Sequence, residues 1–332
     1  MPKPRLPAST YIEGIFARNR VLLSQAITIV ESQLPADQPL AQAILQAILP
    51  YTGRSVRIGI TGVPGVGKST FIESIGLYLT NELQKKMAVL AIDPSSTLSR
   101  GSILGDKTRM ESLSKHPNAY IRPSPTVGSL GGVARHTREA MLLCEAAGFD
   151  IILVETVGVG QSETLVRGMC DFFLLLMLAG AGDELQGIKK GIMEMADGLV
   201  ITKADGNNAT KARNAQLDYQ NALHLFPLPE SGWSPQVLTC SAQEATGIAP
   251  VWDMIEHFVA FTEQNGFFRR QRQQQNLYWM QESIRYLLED SFYNHSAVQN
   301  KWPEIEKAVL DGHYSPQQAA LDLINLYQST QL

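Results

Sequence analysis

A glycine-rich stretch in the first quarter of the chain has residue types and spacing suited to binding phosphate. It runs Gly62-Val63-Pro64-Gly65-Val66-Gly67-Lys68-Ser69, followed by Thr70, and fits the pattern of Gly, four residues, then Gly-Lys-Ser/Thr. The glycines allow successive backbone N–H groups to turn toward one anion. Lys68 is expected to contact the β- and γ-phosphates of a nucleotide, and the Ser69 hydroxyl is expected to ligate Mg²⁺. The sequence therefore predicts a P-loop in which residues 62–70 bind nucleotide and Lys68 also serves catalysis.

The segments on either side of this loop have the patterns that a P-loop requires. Val56 to Ile60 is short, apolar and β-branched, which is typical of a buried strand. Thr70 to Leu79 carries apolar residues at helical spacing, and the N-terminus of such a helix favours an anion. A chance glycine turn would lack these flanks, so a phosphate site is the better interpretation.

Three acidic residues are candidates for a metal site beside the predicted P-loop. Asp93 follows an apolar strand from Met87 to Ile92, and the carboxyl end of such a strand faces the nucleotide crevice. Asp106 lies in a stretch with two glycines and mixed charge, as a switch loop does. Glu155 directly follows the apolar run from Ile151 to Val154. The alternatives are a turn-forming role for Asp93 and a solvated loop position for Asp106.

Glu155 and a glycine three residues later have the arrangement of a Walker B or switch II segment, in which the acid lies near Mg²⁺. Gly158 is then the switch glycine, and its backbone N–H could contact the γ-phosphate. The acid is Glu rather than the usual Asp, which favours a branch of P-loop GTPases other than the Ras-like one. A further loop, from Gly180 to Gly191, interleaves glycines with charges that include Lys189. It predicts a mobile loop able to supply a catalytic cation, with an ordinary surface turn as the alternative.

The tetrapeptide Thr202-Lys203-Ala204-Asp205 follows an apolar strand and is close to the Asn-Lys-x-Asp pattern by which GTPases recognise guanine. The Asp205 carboxylate could accept hydrogen bonds from the guanine N1–H and exocyclic amine, a donor pair that adenine lacks. The Lys203 stem is expected to stack over the base. After a further strand, Ser241 and Ala242 form a turn whose backbone N–H could meet guanine O6. Thr202 departs from the usual Asn, although a hydroxyl could keep part of its role in holding the loops together.

Composition narrows the remaining classes of protein. The chain has 332 residues, 44% of them hydrophobic, and a net charge of -4, so it has no electrostatic signature of nucleic-acid binding. No apolar run approaches the roughly 18 residues needed to span a bilayer, and the N-terminus lacks the apolar core of a secretory signal. Cys144, Cys170 and Cys240 are odd in number and widely spaced, which indicates a reducing cytosol. We expect a cytoplasmic protein that binds neither nucleic acid nor membrane.

The succession of apolar strands and helices predicts an α/β fold, a doubly wound, mainly parallel sheet with helices on both faces. We predict an N-terminal helical extension over residues 1–53, a P-loop GTPase domain over residues 54–262 and a C-terminal helical extension over residues 263–332. The N-terminal helices could cover one sheet face or bind a partner. The C-terminal helices could present solvated faces or form a dimerisation arm.

Taken together, the P-loop, Asp93-Pro94-Ser95-Ser96 and the stretches 101–110, 155–163 and 183–191 resemble the methylmalonyl-CoA mutase-associated GTPases, the MeaB/ArgK/MMAA family. The resemblance covers most of the chain and implies a homodimeric P-loop NTPase of the SIMIBI type. It implies a chaperone for an adenosylcobalamin-dependent mutase, which gates cofactor loading and protects or reactivates that mutase. It also implies Mg²⁺ near Ser69, Asp93, Asp106 and Glu155, and a third switch from Gly180 to Gly191 that senses nucleotide and partner.

Two other functions fit parts of the pattern. A P-loop kinase linked to amino-acid transport is disfavoured by the guanine pattern and by the lack of an evident arginine-rich lid. A metal-delivery GTPase of the nickel-insertion type would carry clustered His or Cys residues, whereas here both are scattered. Val159 stands where Ras-like proteins have a water-orienting Gln, and no Arg occupies an obvious finger position. We therefore expect slow hydrolysis unless a partner mutase orders the loop that carries Lys189.

Overall fold

The computed structural model describes residues 5–32, 34–93, 110–125, 130–156, 162–180 and 190–330. The chain divides into two compact units, residues 1–275 and residues 276–332. The predicted boundaries after residues 53 and 262 remain a prediction. No helix in the described ranges combines the length and the apolar character needed to cross a membrane.

The first unit is built on one seven-stranded sheet in which every described strand pairing is parallel. Its strands are β1 Val56–Gly62, β2 Met87–Asp93, β3 Ala119–Pro125, β4 Ile151–Thr156, β5 Phe172–Leu178, β6 Gly198–Thr202 and β7 Gln236–Thr239. They lie in the order β3-β2-β4-β1-β5-β6-β7. The chain turns from one half of the sheet to the other between β4 and β5, with β1 between them. Open α/β sheets bind ligands at the carboxyl ends of the strands at such a switch point.

Helices account for most of the remaining described residues. They are α1 Ala8–Phe16, α2 Arg20–Val30, α3 Gln38–Ile48, α4 Lys68–Leu77, α5 Glu111–Lys115, α6 Leu130–Ala146, α7 Ser162–Arg167, α8 Lys190–Met195, α9 Ala209–Leu223, α10 Ile248–Gln264, α11 Phe267–Tyr293, α12 Ser296–Leu310 and α13 Pro316–Ser329. One π-helical turn, Tyr78–Glu82, continues α4. Helices α1 to α3 pack on α6, which in turn packs on β2 and β4. The N-terminal helices therefore form an outer layer over one face of the sheet.

The central strand β1 shows how both faces of the sheet are covered. Ile58 and Ile60 are buried in a core cluster shared with α4 and α10, and burying such a side chain stabilises the fold by about 1.5–3 kcal/mol. On the opposite face, Arg57 pairs with Glu145 of α6. Gly59 faces α7 so closely that an added Cβ would lie 2.7 Å from Val166 Cγ1. The predicted doubly wound parallel sheet with helices on both faces is confirmed.

Ion pairs tie the helices to the amino-terminal ends of the strands, opposite the P-loop. They join Arg57 to Glu145 at 2.8 Å, Arg272 to Asp171 at 2.7 Å and Arg167 to Asp197 at 2.6 Å. The three carboxylates are almost completely buried. Asp171 also accepts a hydrogen bond from the Arg57 backbone N–H, and Asp197 accepts one from that of Phe173. These bonds fix the starts of β1 and β5, whose other ends form the site described below.

The second unit contains the end of α11 together with α12 and α13. The latter two helices pack around a small core of Val298, Ile305, Ala319 and Leu323. Ser315 caps α13 by accepting a hydrogen bond from the Gln318 backbone N–H at 3.1 Å, with Pro316 at the first helical position.

Candidate nucleotide site

The P-loop connects the end of β1 at Gly62 to the start of α4 at Lys68. Gly67 has a φ of 97°, in the left-handed region that favours glycine, immediately before the helix. At Gly62, an added Cβ would lie 2.6 Å from the Leu176 carbonyl oxygen of β5, so only glycine fits there. Val66 is fully buried in the core, and its Cγ1 would lie 3.0 Å from the same added Cβ. The loop is thus seated on β5 and opens toward the carboxyl edge of the sheet.

Lys68 folds back over this loop. Its Nζ donates hydrogen bonds to the Gly62 carbonyl at 2.7 Å and the Val63 carbonyl at 3.3 Å. Burial lowers the pKa of Lys68, and the negative charges of Glu155 and Glu163 oppose that shift. The ammonium group is therefore partly desolvated, and in such a position its attraction for a negatively charged phosphate is stronger than in bulk water.

Ser69 and Glu155 are brought together from separate elements. The Ser69 hydroxyl at the start of α4 donates to Glu155 Oε1 near the end of β4 at 3.2 Å, and Glu155 is only 4% exposed. A hydroxyl and a buried carboxylate side by side are the hard oxygen donors that Mg²⁺ prefers, so the described part of the site fits this ion. Asp93 ends β2, but its side chain and the whole of Asp106 lie outside the described residues. Within the described residues no group of three or more His, Cys, Asp or Glu is arranged to hold a metal.

Two predicted catalytic positions, Gly158 and Lys189, also lie outside the described residues. Their predicted roles stay predictions, as does that of the loop from Gly180 to Gly191, of which only the two ends are described.

Thr202, the departure from the usual Asn, links the guanine motif to the phosphate loop. Its Oγ1 donates to the Val66 carbonyl at 2.7 Å and lies 3.2 Å from the Met177 carbonyl oxygen of β5. Thr202 is 2% exposed, so these bonds are shielded from water. One hydroxyl therefore holds the end of β6 against both the P-loop and β5.

The predicted base-recognition residues lie beside the P-loop. Lys203 has a φ of 56°, unusual for a residue with a side chain, and its Nζ donates to the Gly65 carbonyl at 2.8 Å. Asp205 Oδ2 accepts a hydrogen bond from Ser241 Oγ at 2.5 Å. The Ser241 backbone N–H donates to the Thr246 carbonyl, so Ala242 supplies the backbone N–H that is the better candidate for guanine O6. The structure thus places Lys203, Asp205, Ser241 and Ala242 at one end of the crevice, next to residues 62–70.

Comparison with known proteins decides the family. A family model described as "Methylmalonyl Co-A mutase-associated GTPase MeaB" matches residues 23–297. The chain belongs to the MeaB family of GTPases. Both the predicted family membership and the prediction that the chain is a GTPase are confirmed, and membership implies that it binds guanine nucleotides.

Relatives of this MeaB-family chain align with most of its length. GTPase ArgK of Escherichia coli is 50% identical over 276 residues, which cover 83% of this chain and 82% of that protein. The mouse methylmalonic aciduria type A homolog, described as mitochondrial, is 45% identical over 326 residues, covering 95% and 78%. A solved structure described as an LAO/AO transport system kinase superposes with a TM-score of 0.74 at 38% identity, covering 97% of each chain.

Glu163 is a residue of this MeaB-family site to which the sequence analysis gave no role. It is the last residue of the stretch 155–163, lies in the first turn of α7 and is 2% exposed. Its charge acts on Lys68 together with that of Glu155. An acid in the first turn of a helix is common because it complements the helix dipole. The sequence pattern alone therefore gave no sign that this carboxylate lies close to the P-loop lysine.

Proposed function

We propose that this GTPase uses the GTP cycle as a timing switch on an adenosylcobalamin-dependent acyl-CoA mutase of the methylmalonyl-CoA mutase type. In this proposal it gates cofactor loading and protects or reactivates the mutase in the cytoplasm. The match of residues 23–297 to a family described as mutase-associated carries the proposal. The name of the mouse relative, which refers to methylmalonic aciduria, points to the same metabolism.

The nucleotide is assigned to residues 62–70 at its phosphates and to Lys203, Asp205, Ser241 and Ala242 at its base. Two contacts favour this assignment. Lys203 reaches the Gly65 carbonyl, so the base and phosphate ends of the site are adjacent. The Asp205 carboxylate is oriented by Ser241 at Oδ2, which leaves Oδ1 and the remaining lone pair of Oδ2 for the two guanine donors.

Mg²⁺ is assigned to Ser69 and Glu155, with Asp93 and Asp106 completing its surroundings directly or through water. When bound, the ion neutralises charge on the phosphates. Because Mg²⁺ usually takes only one or two carboxylates directly, some of these acids should contact its water ligands instead.

Catalysis by this chain rests on positioning and charge. Lys68 holds the β- and γ-phosphates and neutralises charge that develops during transfer, in the partly desolvated position described above. The Gly158 backbone N–H contacts the γ-phosphate. The isolated protein lacks a water-orienting Gln at Val159, so its turnover is slow. The mutase accelerates it by ordering the loop that presents Lys189.

The C-terminal unit supports a homodimer. In α11, apolar side chains recur at spacings of three and four residues and are each at least half exposed: Leu277, Met280, Ile284, Leu287 and Leu288. An apolar stripe with this period is the pattern by which one helix packs on another. We propose that a second copy of the chain covers it.

The test of the switch is single-turnover GTP hydrolysis with and without methylmalonyl-CoA mutase. We expect the mutase to stimulate the unmutated protein by about 10³-fold and Lys189→Ala to lose most of that stimulation, because a missing cation is worth this much in phosphoryl transfer. Lys211→Ala, at an exposed position of α9, is the matched control and should keep full stimulation. An unchanged rate with the mutase would overturn the proposed partner, and full stimulation of Lys189→Ala would overturn the role of that loop.

A further inference from the structure

Asn208 stands at the N-cap position of α9, yet its side chain does not cap that helix. Asparagine is preferred at such a position because its side-chain oxygen can accept a hydrogen bond from a backbone N–H of the first turn. Here the side-chain Nδ2 instead donates to the Lys203 carbonyl oxygen at 2.7 Å. The Asn208 backbone N–H donates to the Asp205 carbonyl at 2.9 Å. Asn208 therefore holds the loop that carries the guanine motif through both its side chain and its backbone.

Lys203 needs such support because of its backbone conformation. Its φ of 56° lies in the left-handed region, which is unfavourable for a residue with a Cβ and persists where the surrounding structure fixes it. The residues on either side of Lys203 are held separately. The Thr202 hydroxyl donates to the P-loop at 2.7 Å, and the Ala204 backbone N–H donates to the Cys240 carbonyl at 3.0 Å. The bond from Asn208 holds the carbonyl group of Lys203 itself.

The conformation of Lys203 determines where its side chain lies. Its Nζ donates to the Gly65 carbonyl at 2.8 Å. An added Cβ at Gly67 would lie 3.9 Å from Lys203 Cε, so the lysine stem crosses the phosphate loop. Because the rotamers open to a side chain depend on the φ and ψ of its backbone, release of the Lys203 carbonyl would shift both the stem and the ammonium group.

We propose that Asn208 is a positioning residue for guanine-nucleotide binding and acts through Lys203. Its amide stabilises the left-handed conformation in which the lysine stem is available to the guanine base and the ammonium group holds the phosphate loop. The inference rests on the proposed function for the assignment of the base to Lys203 and Asp205. The side chain that could have capped α9 is used instead to hold the guanine motif in its binding conformation.

The experiment measures the Kd for GDP by calorimetry on the full chain, in the unmutated background and in a Lys203→Gly background. Asn208→Ala should raise the Kd about fivefold in the unmutated background, as expected for the loss of one net hydrogen bond. Asn208→Asp keeps the shape of the side chain but its carboxylate cannot donate, so it should weaken binding at least as much. In the Lys203→Gly background, Asn208→Ala should leave the Kd unchanged, because glycine adopts the left-handed region without support. Asn207→Ala, which removes an exposed side chain of the same type from the preceding position, is the matched control and should bind GDP as the unmutated protein does.

The two backgrounds separate a positioning role from a general structural one. An equal loss of GDP affinity in both backgrounds means that Asn208 only stabilises the loop, and this result overturns the inference, as does an equal loss in Asn207→Ala. Denaturant unfolding of each variant reports folding, and Asn208→Asp takes the place of Asn208→Ala if the alanine variant does not fold.

The same titrations separate this inference from the proposed base site. If Lys203→Gly and Asp205→Asn both leave GDP affinity unchanged, the proposed base site is overturned and the role of Asn208 is overturned with it. If both changes weaken GDP binding while Asn208→Ala and Asn208→Asp do not, the base site stands and the role of Asn208 alone is overturned.

Discussion

Replacing Thr202 by valine removes a single hydroxyl from the junction between the guanine motif and the P-loop. Valine has nearly the same shape as threonine, so the packing around the end of β6 is preserved. The change removes the hydrogen bond to the Val66 carbonyl at 2.7 Å and the longer one to the Met177 carbonyl at 3.2 Å. Thr202 is only 2% exposed, so water cannot readily replace the lost hydroxyl as a hydrogen-bond donor.

The expected effect follows from what each bond contributes. A neutral hydrogen bond contributes about 1 kcal/mol net, and leaving a buried carbonyl without its donor costs about 1–3 kcal/mol. Thr202→Val should therefore lower the free energy of unfolding by about 1–3 kcal/mol. Because the lost donor held Val66 within the P-loop, part of this cost should appear as weaker nucleotide binding. If about 1.4 kcal/mol of this cost is lost from the binding free energy, the Kd for GDP rises tenfold.

The assay is GDP titration by calorimetry, paired with denaturant unfolding. Thr262→Val is the matched control, since Thr262 is also fully buried and its hydroxyl donates to the Phe258 carbonyl at 2.8 Å, but within α10. That variant should lose stability and keep its GDP affinity. The reasoning is refuted if Thr202→Val binds GDP as tightly as the unmutated protein, or if Thr262→Val weakens GDP binding equally.

Two further changes test the base site and the buried ion pairs. Asp205→Asn should weaken GDP binding and favour xanthosine diphosphate, whose C2 carbonyl pairs with an amide donor. Competition titrations with the two nucleotides measure this change in specificity. Equal GDP and ADP affinity in the unmutated protein would contradict the guanine assignment. Burial raises the pKa of Asp197 from 3.8 to about 6, against the opposing charge of Arg167. The native state then binds the proton more tightly than the unfolded chain, so this group's contribution to stability falls as pH rises from about 4 to 6, by up to about 3 kcal/mol. Asp197→Asn removes this pH dependence. The unfolding free energy of the variant, measured relative to that of the unmutated protein, should therefore rise by up to about 3 kcal/mol between pH 4 and pH 8. If the two plots of unfolding free energy against pH are parallel, the pKa of Asp197 is not raised.

The sheet and the P-loop could be predicted because their signals are local. The stretch from Gly62 to Ser69 specifies a turn that only a glycine-rich backbone adopts. On either side of it, β1 and α4 have the apolar patterns of a buried strand and of a helix. Strand β5 and the first four residues of β4 are continuous apolar runs, as strands covered on both faces must be. Parallel strands bring their carboxyl ends to one edge of the sheet, so the sequence predicts that Glu155 lies near Ser69.

The contacts that sequence did not predict depend on approaches between distant segments. In the sequence Glu73 is an ordinary polar residue of a helix, whereas in the fold its carboxylate accepts hydrogen bonds from the Ser112 and Leu113 backbone N–H groups at the start of α5. In the sequence Glu163 is typical of an acid in the first turn of a helix. In the fold it is buried close enough to Lys68 that its negative charge raises the pKa of that lysine, against the lowering caused by burial. The acceptor of the Thr202 hydroxyl was likewise unpredictable, because 136 residues separate it from Val66.

The geometry of the phosphate loop explains why the guanine motif lies where it does. Four carbonyls of the loop accept hydrogen bonds from three side chains: Gly62 and Val63 from Lys68, Gly65 from Lys203 and Val66 from Thr202. A peptide unit whose carbonyl is held on one side directs its N–H to the other, so these bonds favour N–H groups that converge on an anion. Two of the three donors belong to the guanine motif. Recognition of the base and organisation of the phosphate site are therefore mechanically linked, and a change at Thr202 or Lys203 should weaken the binding of inorganic pyrophosphate as well as that of GDP.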